Sequence, residues 1–178
     1  MEARRAELAP SGVGITFLRQ DPLDGTAHAL LLARGFAREE PFILGWGDIL
    51  VEPRTYRALA AAARDGSEVL AVNEVDDPHA GAAVYASDDG RVTRIVEKPA
   101  RGTSDTRWNN AGLCVLGPGA WPFVDAVVPS PRGEYELASA IEAYVASGAV
   151  VRAMPVLGSW FDVGTPEDLA RARAAFGA

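Results

Sequence analysis

The stretch PFILGWGDILVEPRTYRALAAAARDGSEVLAVNE, residues 41–74, decides the fold class. Its first part, residues 41–46, predicts a buried strand that leads into Gly47 and Asp48. The Ala- and Arg-rich residues 53–64 predict a helix, and residues 67–74 predict the next strand. Strand, helix and strand at this spacing indicate an α/β domain, with a Rossmann-like, mixed but mostly parallel sheet flanked by helices.

The other elements follow from short-range signals around this stretch. Upstream, residues 14–19 predict a strand, and residues 27–38 predict an apolar helix with Thr26 as its N-cap. Downstream, Asp-Gly between two strand-like runs predicts a β-hairpin. Its strands are residues 81–86 and 91–96. The remaining predicted elements are a strand, a helix, a strand and a Thr-capped helix, at residues 110–116, 136–147, 149–156 and from Thr165 onward.

Composition narrows the class of protein. A length of 178 residues with 48% hydrophobic and 23% charged side chains suits one globular domain over residues 1–178. The net charge of -7 argues against a nucleic-acid partner. The one cysteine, Cys114, cannot form an internal disulfide, which favours a reducing compartment such as the cytoplasm. The longest apolar run, residues 27–33, is too short to span a membrane.

Two aspartates stand where chemistry is expected in an α/β fold. Asp48 follows a predicted strand, and ligands of open α/β sheets bind outside the carboxyl ends of strands. Asp162 repeats this arrangement just before the last helix. Taken alone, Asp48 is better explained as an Asp that caps a turn at the end of a strand. Together they could hold Mg²⁺, which prefers hard oxygen ligands and keeps sites for water and phosphate.

Lys98 is the only lysine in the chain, and every other basic side chain is an arginine. Because ammonium and guanidinium groups differ in hydration and geometry, this usage suggests that a compact charge is needed at position 98. Pro99 ends the strand there. His28, by contrast, has no second histidine nearby and lies on a predicted apolar helix, so we interpret it as a packing residue.

Five short motifs follow one another along the chain: QDPLDGTAHA (20–29), GD (47–48), VEKP (96–99), NNAG (109–112) and WFDVGTPEDL (160–169). In this order they resemble the motifs of the sugar-phosphate nucleotidyltransferases, and the resemblance to that family extends from about residue 12 onward. The resemblance implies that Asp48 and Asp162 are the Mg²⁺ ligands. It also implies that Glu97 binds sugar hydroxyls and that Lys98 contacts the sugar phosphate.

The same resemblance assigns the remaining candidate residues to substrate binding. Gln20 with Gly25 matches the family's base-reading pair, where the Gln amide offers a donor and an acceptor to a pyrimidine edge. Asn110 and Gly81 match positions that contact the sugar. Thr26 and Trp160 belong to the matching motifs and are assigned to the substrate as well.

The function implied by the resemblance is the joining of a sugar 1-phosphate to a nucleoside triphosphate. Glucose 1-phosphate with dTTP or UTP is the default, and family members commonly assemble, which predicts a homo-oligomer. In the family the chain opens with a strand and a glycine-rich phosphate loop, which we expect to be missing ahead of Gln20. Residues 1–9 would then be the tail of a helix, and an exposed sheet edge predicts a less stable, self-associating protein.

Two other interpretations stay open at this point. The chain could be a non-catalytic homologue that binds a nucleotide sugar, or a regulatory one, without the loop for the triphosphate. It could also be a glycosyltransferase of similar architecture. The latter class usually carries an Asp-x-Asp metal motif after the central strand, and Asp48-Ile-Leu does not match it.

Overall fold

The computed structural model describes residues 13–37 and 39–177. The helices are α1 (Thr26–Leu32), α2 (Arg34–Ala37), α3 (Pro53–Arg64), α4 (Trp121–Asp125), α5 (Leu137–Ala146) and α6 (Pro166–Phe176). The strands are β1 (Phe42–Gly45), β2 (Ile49–Val51), β3 (Glu68–Glu74), β4 (Ala82–Ala86), β5 (Val92–Glu97), β6 (Trp108–Leu116), β7 (Val151–Pro155) and β8 (Trp160–Asp162).

Six strands form a mixed sheet in the order β5-β4-β6-β3-β7, with β1 also paired to β6. Strand β6 carries β3 along one edge, and β1 and β4 in succession along the other. Strands β1, β3, β4 and β7 run in one direction, and β5 and β6 run against them. The predicted mixed α/β sheet is confirmed. Because β6 runs antiparallel to its neighbours on both edges, β3 and β7 form the parallel pair among the described strand pairs.

Helices cover both faces of this sheet. On one face, Leu70 and Val72 of β3 pack with Leu137 and Ile141 of α5 in a core that also includes parts of α1 and α4. On the other face, alternate residues of β3 pack against Leu59 of α3. Because its side chains are buried on both faces, β3 is an almost continuous apolar run, as the sequence VLAV shows.

Most predicted elements are confirmed with bounds that differ by one or two residues. Helix 53–64 has the bounds predicted for it. The hairpin is formed by β4 and β5, with Gly90 at a positive φ of 81° in the turn. Thr165 caps α6 in a reciprocal capping box with Asp168. The predicted helix tail at residues 1–9 lies outside the described residues.

The predicted strand at residues 14–19 is wrong, because residues 13–20 contain neither helix nor strand. A strand needs a neighbour with which to form a hydrogen-bonded ladder. Along the part of the chain that is described, β1 pairs with β6 alone and no strand adds to its other edge. Residues 14–19 are therefore irregular in spite of their apolar sequence.

The N-cap prediction for Thr26 is also wrong. Gly25 is the N-cap, Thr26 is the first residue of α1, and the helix is interrupted at Ala33 before α2. Gly25 has a φ of 134°, and a Cβ there would collide with the backbone of Tyr135. The Thr26 hydroxyl instead accepts the N–H of Leu137, 2.9 Å away, and so caps the start of α5.

Candidate active site

The short strands β2 and β8 bring the two candidate metal ligands together. They pair antiparallel, with Ile49 opposite Asp162, so that Asp48 lies at the same end of the ladder. The N–H of Val163 donates to the carbonyl oxygen of Asp48 at 2.9 Å. Residues separated by more than a hundred positions thus become neighbours through one pair of strands that the sequence reasoning did not predict.

The electrostatics of this pair suit a cation. Burial raises the pKa of Asp162, and the carboxylates of Asp48 and Asp168 raise it further. Two carboxylates held close together repel each other unless positive charge lies between them. Among the described residues, no group of three or more His, Cys, Asp or Glu side chains could hold a metal ion. Two oxygen ligands completed by water and phosphate are the pattern that suits Mg²⁺.

A cavity of about 490 Å³ opens beside the two aspartates. Its lining includes these predicted residues: Thr26, Asp48, Gly81, Glu97, Lys98, Asn110, Trp160 and Asp162. The Trp160 indole is fixed there because its N–H donates to the carbonyl oxygen of Ala111 at 2.9 Å. Trp46, which precedes Gly47-Asp48, also lines the cavity. One site therefore gathers most of the residues that the motifs singled out.

Lys98 enters the cavity from a constrained backbone. Its φ is 42°, which makes it the one non-glycine residue with a positive φ in the described ranges. Its backbone N–H donates to the carbonyl oxygen of Gly81 at 2.7 Å, which ties the end of β5 to the start of β4. This left-handed backbone conformation interrupts the regular alternation of side chains between the two faces of the strand.

Glu97 belongs to a charged cluster that the sequence reasoning missed. The Arg132 guanidinium lies 2.8 Å from the Glu136 carboxylate and 3.6 Å from that of Glu97. Burial raises the pKa of Glu97, and the Glu136 charge raises it further. Arg132, Glu134 and Glu136 all line the cavity. The charged run R-G-E-x-E directly before a helix was the sequence signal that could have pointed to them.

Asn109, a second missed residue, explains the glycine at position 81. It is buried, its amide nitrogen donates to Oδ1 of Asn73 at 3.0 Å, and its Oδ1 accepts the N–H of Ala82 at 3.2 Å. A Cβ on Gly81 would collide with that same Oδ1. Gly81 thus makes room for a structural amide as well as bordering the cavity. The next residue, Asn110, accepts the N–H of Gly112 at 3.0 Å through Oδ1.

Gln20 and Gly25 are not part of the described cavity lining. They lie just beyond Thr26, where the amide nitrogen of Gln20 donates to Asp24 Oδ1 and to the carbonyl oxygen of Gly25, each at 3.0 Å. The predicted base-reading pair is therefore a neighbour of the cavity, at its Thr26 end. His28 stacks on Tyr135 with ring centroids 3.8 Å apart, in keeping with its predicted packing role.

Comparison with known proteins identifies the family. The family model described as nucleotidyl transferase matches residues 2–177. The chain belongs to the nucleotidyl transferase family. The resemblance to sugar-phosphate nucleotidyltransferases is thereby confirmed. None of the helices in the described part of the chain combines the length and apolar composition needed to cross a membrane.

Curated relatives of this nucleotidyl transferase carry related names. It is 32% identical over 162 residues to the low-salt glycan biosynthesis nucleotidyltransferase Agl11 of Haloferax volcanii, covering 90% of this chain and 45% of the relative. It is 32% identical over 167 residues to a glucose-1-phosphate thymidylyltransferase of Streptomyces antibioticus, again covering 90% and 45%. The chain thus spans about half the length of these curated relatives.

Solved structures share the fold. A UDP-glucose pyrophosphorylase complexed with UDP-glucose superimposes with a TM-score of 0.80 at 20% identity, covering 91% of this chain and 65% of that one. The UTP-bound enzyme from Acinetobacter baumannii gives a TM-score of 0.79 at 22% identity, covering 98% and 64%. At these identities the comparison establishes a common architecture.

Proposed function

We propose that the protein transfers a nucleotidyl group to a sugar 1-phosphate. Glucose 1-phosphate and dTTP or UTP are the proposed substrates, and a nucleotide sugar and pyrophosphate are the products. The observation that carries this proposal is the single cavity that Asp48, Asp162, Glu97 and Lys98 all line. Membership of the nucleotidyl transferase family and the names of the relatives support it.

In the proposed reaction, an oxygen of the sugar phosphate attacks the α-phosphorus of the triphosphate. A new P–O bond forms as the bond to the β-phosphate oxygen breaks, and pyrophosphate leaves with the bonding electrons. This transfer needs no covalent intermediate on the protein, because positioning and neutralisation of charge supply most of the catalysis. Asp48 and Asp162 would hold Mg²⁺, which when bound supplies positive charge to the reacting phosphates.

Other cavity residues bind and orient the substrates in this proposal. The Lys98 ammonium neutralises the sugar phosphate, and the Glu97 carboxylate accepts hydrogen bonds from sugar hydroxyls. The base lies over the Thr26 end of the cavity, within reach of Gln20 and the backbone of Gly25. Asn110 and Trp160 border the sugar. The cavity lining is acidic except for Lys98 and Arg132, so bound cations are needed to neutralise the charge of a triphosphate.

The test is release of pyrophosphate by the purified protein from UTP or dTTP, with glucose 1-phosphate and Mg²⁺ present. Activity should disappear when the metal is chelated, and Lys98→Ala should lower the rate by about 100-fold or more. Lys98→Arg is the matched control, because it keeps the charge and loses the compact ammonium. Binding of a nucleotide sugar without any release of pyrophosphate would contradict the proposal and favour a non-catalytic binding protein.

A further inference from the structure

The segment that brings Asp162 to the cavity is held by the first turn of α3. Residues 156–159 connect β7 to β8, and β8 carries Trp160 and Asp162 into the cavity lining. Strand β8 is three residues long, and among the described strands it pairs with β2 alone. So short a strand has few ladder hydrogen bonds. The path of the loop before it therefore has a large influence on where Asp162 lies.

Thr55 is the buried part of this attachment. It is fully buried, and its hydroxyl accepts the N–H of Leu157 at 3.0 Å and donates to the carbonyl oxygen of Leu157 at 3.2 Å. Leu157 itself is 41% exposed, so hydrogen bonds fix the tip of the loop more than apolar burial does. Replacing the hydroxyl with a methyl group would leave the N–H of Leu157 without this acceptor.

Two neighbouring side chains complete the attachment. Glu52 accepts the N–H of Ser159 through Oε1 at 3.0 Å, and its other carboxylate oxygen lies 3.0 Å from Nε of Arg54. The same Nε donates to the carbonyl oxygen of Leu157 at 3.2 Å. Gly158 has a φ of 86°, and a Cβ there would collide with the Glu52 carboxylate. The loop therefore lies directly against the start of α3.

The same stretch of chain also carries the other candidate metal ligand. Asp48 directly precedes β2, and Glu52 directly follows it. Residues 48–55 thus supply one aspartate of the pair and the contacts that hold the segment leading to the other. At the far end of β8, the N–H of Val163 donates to the carbonyl oxygen of Asp48 at 2.9 Å. The segment with Asp162 is therefore fixed at both ends by residues 48–55.

We propose that Thr55 and Glu52 are positioning residues that place Asp162 beside Asp48 by holding the loop of residues 156–159. Neither side chain belongs to the described cavity lining, and neither lies in any of the five motifs. This inference rests on the proposed function, since it assumes that the two aspartates bind a metal ion. Groups that orient a metal ligand without touching the metal commonly contribute about 10–100-fold to its affinity.

The test measures binding of Mn²⁺, which accepts the same oxygen ligands as Mg²⁺, by electron paramagnetic resonance of the free ion. Thr55→Val keeps the shape of the side chain and removes the hydroxyl, so it should bind Mn²⁺ about tenfold more weakly. Thr55→Ser keeps the hydroxyl and should bind Mn²⁺ like the unmodified protein. Glu52→Ala should also weaken binding, and because the Glu52 side chain is partly exposed, this variant decides the matter if Thr55→Val does not fold.

Thr106→Val is the matched control. The Thr106 hydroxyl also joins two segments, because it donates to the carbonyl oxygen of Val84 at 2.9 Å and accepts the N–H of Trp108 at 3.1 Å. Thr106 is not part of the described cavity lining. Thr106→Val should therefore lose stability in urea unfolding and keep its affinity for Mn²⁺. An equal loss of affinity in Thr106→Val and Thr55→Val would overturn the inference, because general destabilisation would then explain both.

A metal-free measurement separates this inference from the proposed function. Exchange of the Val163 N–H with solvent reports on its hydrogen bond to Asp48, and it should be about tenfold faster in Thr55→Val and unchanged in Thr106→Val. Unchanged Mn²⁺ affinity or unchanged Val163 exchange in Thr55→Val overturns the inference. Absence of Mn²⁺ binding by the unmodified protein contradicts the metal site of the proposed function, and Val163 exchange then decides on its own whether Thr55 holds this loop.

Discussion

At the scale of single residues, Lys98 combines a proposed catalytic charge with an unfavourable backbone conformation. Its φ of 42° brings the Cβ of an L-residue close to backbone atoms, a cost that glycine does not incur. We therefore expect Lys98→Gly to be more stable than Lys98→Ala by about 1 kcal/mol in urea unfolding. Both variants lack the ammonium and should be equally inactive. Equal unfolding free energies would show that the turn carries no strain.

Glu97 makes the stability of the protein depend on pH. Burial and then the Glu136 charge raise the pKa of Glu97, so the folded chain keeps this proton at pH values where the unfolded chain has lost it. The free energy of unfolding therefore falls as pH rises from the ordinary glutamate pKa through the raised pKa of Glu97. The side chain in Glu97→Gln does not titrate, so the free energy of unfolding of this variant should not show this part of the decrease with pH.

The measurement for Glu97 is urea unfolding of both proteins across the acidic range, compared as a difference at each pH. Lys98 and Arg132 oppose the shift but do not reverse it. A difference between the two proteins that stays constant with pH would mean that Glu97 titrates alike in the folded and unfolded chains.

At the scale of elements, the start of β4 is locked to β6 through Gly81 and Asn109. Gly81→Ala places a Cβ against the Asn109 amide, whose three hydrogen bonds leave it little freedom to move. We expect this substitution to lower the free energy of unfolding by about 1–3 kcal/mol and to distort the cavity. Gly35→Ala is the matched control, because nothing lies within 4 Å of its added Cβ and it sits in α2.

The outcome for Gly81→Ala is read from urea unfolding together with nucleotide-sugar binding. Gly35→Ala should be neutral or slightly stabilising, since alanine is the better helix former. If Gly81→Ala proved as stable as the Gly35→Ala control, the close contact with Asn109 would not be a real constraint on this part of the sheet.

At the scale of the whole molecule, β1 offers an edge to a second copy. Within the described strands it pairs with β6 alone, and Ile43 on it is 41% exposed. Unpaired strand edges with apolar side chains favour association between chains. We expect the average mass in sedimentation velocity to increase with protein concentration. Ile43→Lys should reduce this increase, because it places on the strand the kind of charge that protects exposed edges in natural sheets. A monomeric mass at all concentrations of the unmodified protein would contradict the prediction.

The elements that the sequence determined by itself depend on short-range chemistry. The helix at residues 53–64, the hairpin with Gly90 in its turn and the capping box of Thr165 all involve residues within a few positions of one another. Periodicity, turn residues and caps act over that range, so a sequence reader can find them. Most of the residues that the family resemblance singled out likewise line the cavity, because each lies in a short segment that can be recognised locally.

Tertiary structure alone decided how distant segments meet. The pairing of β2 with β8, which joins Asp48 to Asp162, spans more than a hundred residues, and neither strand has a local signal. Thr26 caps α5 instead of its own helix, since the N–H of Leu137 lies within reach only in the fold. A side chain's partner depends on which atoms are close in space, and neighbours along the chain do not specify that.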